Sequence, residues 1–422
     1  MNESVIAVIA VLLLGAAGVG GIIFLGPGEE SDFTDYKSDT LVKDFKDREV
    51  PVPTSLDGGI ITAGRFSALR WLAYFPEEFE KVIMVDDTVN VDSQGSLDYS
   101  YAYGDILSGV ETHSRDSMSD SEKMVARNPS LIIVDSHIYR EYKEICENIS
   151  KLVPLAVVNA FENLSNDGFW TEDYQLTEEF KDQAVLFGKI LDNEERAGEI
   201  IEYFQETLDD VRSYCTGTSD TVTYVAGPVS AGSNPLSTTF NPYLCQQLTG
   251  GENAMDRTDV FHINLSVEEV EQLSFNRMVI EPSTILPNKG GPNLLETDDS
   301  QGVLKLVSKR NTDDDPDNDI RMFVVLPSIS HGVNPLCVLA SAYHLASVEY
   351  DTLNVEEIKQ NADAMFKKFY GDERGGRVMS GLDEYYSGIK HDVHEDICTD
   401  LFCEVEVKVL DNGKYIFAKK VE

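Results

Sequence analysis

Residues 122–134 read EKMVARNPSLIIV, and residues 268–280 read EEVEQLSFNRMVI. The two stretches begin 146 positions apart, at Glu122 and Glu268. Each has apolar residues at helical spacing, then two or three polar residues, then an apolar run of strand length. Each follows a polar capping stretch, Ser119-Asp120-Ser121 in one and Asn264-Leu265-Ser266 in the other. A helix-to-strand unit that recurs in both halves of a chain predicts two similar α/β lobes. Two lobes leave a cleft between them, where small ligands bind.

Outward from the first unit, Gly59–Ala63, Val82–Asp86 (VIMVD), Leu131–Asp135 and Leu155–Val158 read as short buried strands. Ser67–Phe75 and Lys143–Ile149 read as helices. Alternating strands and helices predict a parallel wound sheet. Asp87–Tyr103 reads as a polar, Tyr-rich loop. From Thr177 to Tyr214 the spacing is helical throughout, with one helix to about Leu191 and a longer one from Asn193. Asp192 with Glu195 resembles an N-cap and its capping-box partner. The second lobe repeats the alternation with strands at Thr221–Ala226, Met278–Glu281 and Met322–Leu326, and helices at Tyr243–Leu248, Pro335–Ser347 and Val355–Tyr370. Phe402–Val421 reads as a β-hairpin around Asp411-Asn412-Gly413.

The expected fold is therefore α/β: two wound parallel-sheet lobes joined by a long spine helix, with an N-terminal membrane anchor and a small C-terminal β-hairpin. The implied boundaries are anchor or signal 1–28, acidic tether 29–50, N-terminal lobe 51–176, spine helices 177–214, C-terminal lobe 215–395 and hairpin extension 396–422.

Val5–Leu25 is uncharged over 21 residues, long enough at about 1.5 Å per residue to cross a hydrocarbon core. Its flanks, Met1-Asn2-Glu3 and Gly26-Pro27-Gly28, lack a basic start and a small-residue cleavage site, which favours an uncleaved anchor over a cleaved signal. The rest is expected outside the cell membrane. Asp+Glu number 74 and Lys+Arg 34, a net charge of −40, which excludes a nucleic-acid partner needing a basic face. Six cysteines in 422 residues do not form a disulfide scaffold; Cys398 and Cys403 either bridge across a turn or stay as thiols. The sequons at Asn148, Asn163 and Asn264 are compatible with export.

Three phrases carry a resemblance: Asn128–Val134 (NPSLIIV), Gly188–Ala197 (GKILDNEERA) and Leu326–Pro335 (LPSISHGVNP). In this order they resemble the helical-backbone (class III) substrate-binding proteins of ABC importers for ferric siderophores, haem, cobalamin and related metal complexes, over residues 55–375. The chain lacks the lipoprotein Cys common in bacterial members, carries an extra hairpin and is more acidic; the first departure points to the archaeal type. The resemblance implies two lobes joined by one helix, a ligand between them, and no catalysis. It also implies docking onto two permease subunits through one acidic residue per lobe; the matching positions are Glu122 and Glu268. Both are equally explained as solvated first-turn residues favoured by the helix dipole.

Loops after strand C-terminal ends are expected to meet the ligand. They supply Arg65, Tyr99, Tyr101, Tyr103, His137, Ser230, Ser233, Asn234, Ser328, His331 and Asn334. Arg65 would grip an anion, the tyrosines would pack a chelate, and the hydroxyls and amides would hydrogen-bond. For each, a purely structural role competes: a salt bridge for Arg65, the core edge for the tyrosines. His113, His137, His262 and His331, or His391 with His394, would need to converge to hold a bare metal ion, which the sequence does not establish. No resident cofactor is expected. The expected partners are permease subunits and a small metal complex. Alternatives are a molybdate or tungstate binder of the same fold, a membrane-anchored sensor or adhesin without transport, and a chelatase. Neither a G-x-S-x-G nor a P-loop motif is present.

Overall fold

The computed structural model describes residues 34–64, 67–87, 97–161, 169–217, 219–228, 234–255, 262–285, 294–312, 319–328 and 333–420. The apolar run Val5–Leu25 lies outside them; among the described residues no helix is long and apolar enough to cross a membrane.

The N-terminal lobe runs β1 (Lys37–Lys43), β2 (Glu49–Pro53), β3 (Ile60–Ala63), α1 (Ala68–Leu72), α2 (Pro76–Phe79), β4 (Val82–Asp86), α3 (Asp98–Ala102), α4 (Gly104–Leu107), β5 (Glu111–His113), α5 (Ser121–Ala126), β6 (Leu131–Asp135), α6 (Ser136–Glu141), α7 (Lys143–Ile149) and β7 (Leu155–Val158). Its five-stranded sheet has the order β5-β4-β3-β6-β7 and is parallel throughout. Every residue of β3, β6 and β7 is buried, as expected of strands covered on both faces. The Tyr-rich segment is not all loop: α3 occupies its end.

The expected tether is also corrected. Residues 37–53 form an antiparallel hairpin held to the lobe. Asp44 is the reason. It is 6% exposed, and its carboxylate accepts from the N–H groups of Lys46, Arg48 and Val157 and from Arg48 Nε at 2.9–3.0 Å. An acidic residue surrounded by donors is a structural anchor, not a solvating one.

The connection is a helix pair, α8 (Glu178–Leu191) and α9 (Glu194–Ser213). Asp192 does not cap α9; it ends α8 in the left-handed conformation, at φ 58°. Asn193 caps α9, its side chain accepting from Arg196 N at 3.2 Å. Gly188 lies so close to Ala197 that a Cβ would sit 2.6 Å from that residue's Cβ, which lets α9 fold back on α8. At its start α9 holds the first lobe, with Arg196 Nε donating to Tyr74 O at 2.8 Å. At its end it holds the second, with Arg212 donating to Leu248 O at 2.8 Å. It is thus the spine.

The C-terminal lobe runs β8 (Val222–Ala226), β9 (Thr238–Phe240), α10 (Leu244–Thr249), β10 (Glu252–Asn253), β11 (His262–Asn264), α11 (Val267–Gln272), β12 (Arg277–Ile280), α12 (Asp298–Arg310), β13 (Arg321–Val324), α13 (Pro335–Tyr350), α14 (Val355–Tyr370), α15 (Asp372–Val393), β14 (Glu404–Val409) and β15 (Tyr415–Lys419). The sheet order is β10-β8-β12-β13-β14-β15, the first four strands parallel and the last two antiparallel. The terminal hairpin is therefore no appendage. It extends the sheet, with Val405 opposite Met322 and Arg321 in a forked ion pair to Glu404 at 2.8–3.0 Å. Nor do the last helices belong to this lobe alone. On α15, Arg374 reaches Glu80 of the first lobe at 2.7 Å, and Gly381 lies against the Tyr101 ring.

Candidate functional site

The two sheets end in the same way. In the first lobe Ala63 of β3 pairs with Val134 of β6; in the second Ala226 of β8 pairs with Ile280 of β12. One residue further on, each first strand has a glycine, Gly64 or Gly227, and each partner strand a carboxylate, Asp135 or Glu281. Both glycines have positive φ, +105° and +61°. A Cβ on Gly64 would lie 2.5 Å from Asp135 Cβ, and one on Gly227 2.8 Å from Thr284 Cγ2. A side chain at either place is disfavoured by both conformation and space.

Each carboxylate is fully buried and accepts several hydrogen bonds. Asp135 accepts from Ala68 N at 2.7 Å and Ser67 N at 3.1 Å, the first amides of α1. Glu281 Oε1 accepts from Ser328 N at 3.0 Å, the Ser328 hydroxyl at 2.8 Å and the Tyr243 hydroxyl at 3.0 Å. Asp86, at the end of β4, accepts from Gly64 N and Asp116 N at 2.8 Å. Burial raises its pKa, against a lowering by His113 and these amides.

His137 follows β6 on α6, half-buried. Its Nε2 lies 3.6 Å from Asp116 and its Nδ1 4.0 Å from Asp135. His113, on β5, has Nε2 2.8 Å from Thr62 O, and His262 is on β11 of the other lobe. Among the described residues no group of three or more His, Cys, Asp or Glu is placed to hold a metal ion.

Arg65, Ser230, Ser233 and His331 lie outside the described residues. The other predicted ligand residues make contacts within the protein. Tyr99 and Tyr103 are fully buried; Tyr103 stacks on Phe79 at 3.9 Å and donates to Ala73 O at 2.7 Å. Tyr101 packs on Gly381. Asn234 donates to Pro228 O at 2.7 Å. Ser328 is spent on Glu281. Asn334 caps α13 and donates to Asp98 Oδ1 at 2.7 Å. Asp98 also accepts from the Tyr370 hydroxyl at 2.5 Å, and Arg70 donates to Val333 O at 2.6 Å. These contacts join the lobes where the starts of α3 and α13 meet.

The buried carboxylates Asp86, Asp98, Asp135 and Glu281 are not among the residues singled out from the sequence. Their signal was present for three of them: a carboxylate immediately closing an apolar strand, in VIMVD, LIIVD and MVIE.

Glu122 and Glu268 are both exposed, each the second residue of its helix, α5 after Asp120 and α11 after Ser266. Those helices lead into β6 and β12, the matched strands. The cavities among the described residues include two away from the sheets' C-terminal edges. One of about 370 Å³ lies between α4 and the start of α15, and one of about 50 Å³ beside the terminal hairpin.

No protein-family model matches the chain, and no curated protein does. Solved structures do. MolA, the molybdate periplasmic binding protein of a Haemophilus influenzae ABC transporter, solved with molybdate, is 14% identical with a TM-score of 0.54, over 79% of this chain and 98% of its own. A periplasmic solute-binding protein of Veillonella parvula is 14% identical at 0.51, over 78% and 92%. An ABC-transporter solute-binding protein of Sulfurospirillum deleyianum is 14% identical at 0.50, over 78% and 95%. At this identity the likeness establishes a shared fold, that of periplasmic binding proteins.

Proposed function

We propose that this chain is the extracytoplasmic binding component of an ABC importer, holding an iron chelate, haem or corrinoid between its lobes and delivering it to a permease. The observation that carries this is the placement of Glu122 and Glu268. Two exposed acidic residues at the same position of the same unit, one per lobe, suit a pair of similar permease subunits. In this reading Val5–Leu25 tethers the protein to the membrane, and Arg65, Ser230, Ser233 and His331 face the ligand.

An oxyanion such as molybdate is the second reading, favoured by the likeness to MolA. The first lobe supports it less well. Oxyanions are held by amides at helix N-termini, and here those of Ser67 and Ala68 already donate to Asp135, and that of Gly64 to Asp86. A chelate that binds through its organic shell does not need them.

The test is thermal stabilisation of the full chain in detergent by ferric siderophores, haem, cobalamin, molybdate and tungstate. A ligand at 100-fold its Kd adds about 2.7 kcal/mol. A shift with a siderophore, haem or cobalamin alone supports the proposal, and a shift with an oxyanion alone replaces it by the second reading. No shift on folded protein favours a sensor or adhesin.

A further inference from the structure

We propose that Cys398 and Cys403 are an oxidation site, closing as a disulfide that staples the terminal hairpin to the second sheet. Their sulfurs lie 2.9 Å apart, and both residues are buried, 1% and 5% exposed. The fold brings them together through contacts that do not involve sulfur. Cys398 N donates to Phe417 O of β15 at 2.9 Å. At the other end of the loop Val324 N donates to Cys403 O at 3.0 Å, and Phe402 N to Val324 O at 2.9 Å. Between them the Thr399 hydroxyl donates to Tyr386 O of α15 at 2.8 Å. Phe402 is held left-handed, at φ 62°, a conformation the open chain disfavours. A bond across this loop would remove many of the open chain's alternatives at little cost to the folded state.

A shared metal lacks ligands: a structural zinc takes four, and among the described residues no group of three or more His, Cys, Asp or Glu is placed to hold one. The other four cysteines, Cys146, Cys215, Cys245 and Cys337, sit on or beside other elements.

The step is thiol–disulfide exchange. One thiolate attacks an external disulfide RS–SR and releases RS⁻; the second thiolate attacks the mixed disulfide, forms the Cys398–Cys403 bond and releases the second RS⁻. Two protons leave the protein thiols, and RS–SR is reduced to two RSH. The neighbouring sulfur and burial both hold the Cys403 thiol above its ordinary pKa, so exchange is slow in the closed fold and fast before the loop is buried. The proposal rests on the exported reading only for the natural source of oxidant, which the test supplies itself.

The full chain in detergent is placed in glutathione buffer with the oxidised form in excess. One sample is added folded, and one is diluted in from guanidinium. Both are quenched in acid, alkylated in denaturant and mapped by mass. The expected result, in at least one sample, is a 398–403 pair unalkylated and about 2 Da lighter. That leaves four of the six cysteines alkylated. Dithiothreitol reverses it and lowers Tm by roughly 3 °C. The Cys398→Ser, Cys403→Ser double variant shows no such redox shift. Six alkylated cysteines in both samples, either cysteine bonded elsewhere, or zinc retained at one per chain with both thiols protected would each overturn the proposal.

Discussion

Asp98 and Asn334 are 236 positions apart, yet Asn334 Nδ2 donates to Asp98 Oδ1 at 2.7 Å across the boundary between the lobes. Both are fully buried. Burial raises the Asp98 pKa, opposed by the Arg70 charge and by hydrogen bonds from Tyr370 and Asn334. Asn334 also caps α13. Asn334→Ala therefore removes a cap and leaves a buried carboxylate short of a donor, and about 2–4 kcal/mol of stability is expected to be lost in urea denaturation. Asn334→Asp keeps the cap but faces two carboxylates. Its loss is expected to exceed that of the Ala variant at pH 8 and to shrink as pH falls. A loss under 1 kcal/mol for both would mean the lobes do not depend on this contact.

Glu349, near the end of α13, is 5% exposed, and burial raises its pKa to about 7, with the Thr249 hydroxyl pulling the other way. The folded protein keeps this proton to about pH 7, whereas the unfolded chain releases it near 4.5. The associated stability is thus complete below pH 4.5 and lost as pH rises through 7, about 3 kcal/mol in all. Glu349→Gln is expected to be more stable than the parent at pH 8 and equal to it near pH 4.5, by urea midpoints at both.

His344, one turn earlier on the same helix, has the opposite sense. Its ring lies edge-on to Phe323 and Phe402 at 5.7 and 5.5 Å, and burial lowers its pKa to about 3. Its contribution is present above pH 6.5 and lost as pH falls through 3, on the order of 5 kcal/mol. His344→Leu removes the charging step and is expected to move the acid-unfolding midpoint, followed by near-ultraviolet circular dichroism, to lower pH. An unmoved midpoint would mean that other groups drive acid unfolding.

The lobes were legible because strands covered on both faces are unbroken apolar runs, and VIMVD and LIIVD declare themselves. What the sequence concealed was cross-chain. Tyr99 and Tyr103 resemble ligand-packing aromatics, yet both are buried in the fold, and the Tyr103 ring meets that of Tyr370 of α14, some 270 positions away, edge-on at 5.8 Å. Asp44 resembles a solvated tether residue because its partner Val157 is 113 positions away. The hairpin was visible from Asn412-Gly413, but nothing local in Glu404–Val409 reveals that its open edge pairs with β13.

Glu122 and Glu268 are exposed, so their removal leaves the fold intact: Glu122→Ala and Glu268→Ala are each expected to change stability by less than about 0.5 kcal/mol. Under the importer reading both leave ligand-induced thermal shifts unchanged but lower cellular uptake of that ligand, and reversal to Lys at both lowers it further. Unchanged uptake in the double Lys variant would remove these residues from docking.

Gly64 and Gly227 occupy equivalent places, and their substitution separates what the two strand ends do. Both φ values are positive, so Ala is strained at each. At Gly64 the new methyl also meets the Asp135 carboxylate, whose atoms lie 2.5–2.6 Å from it and which already holds the first amides of α1. It cannot move without releasing them. At Gly227 the obstacle is the Thr284 methyl at 2.8 Å, with the Glu281 and Asn234 carbonyls at 3.5 Å. A single methyl can turn aside. Gly64→Ala is therefore expected to cost more than Gly227→Ala, roughly 3 against 2 kcal/mol. Only the first displaces the start of α1, so only the first is expected to raise hydrogen exchange at Ser67 and Ala68. Equal costs with no change in exchange there would mean that Asp135 adapts freely and that its hold on α1 is not what shapes the first lobe's side of the cleft.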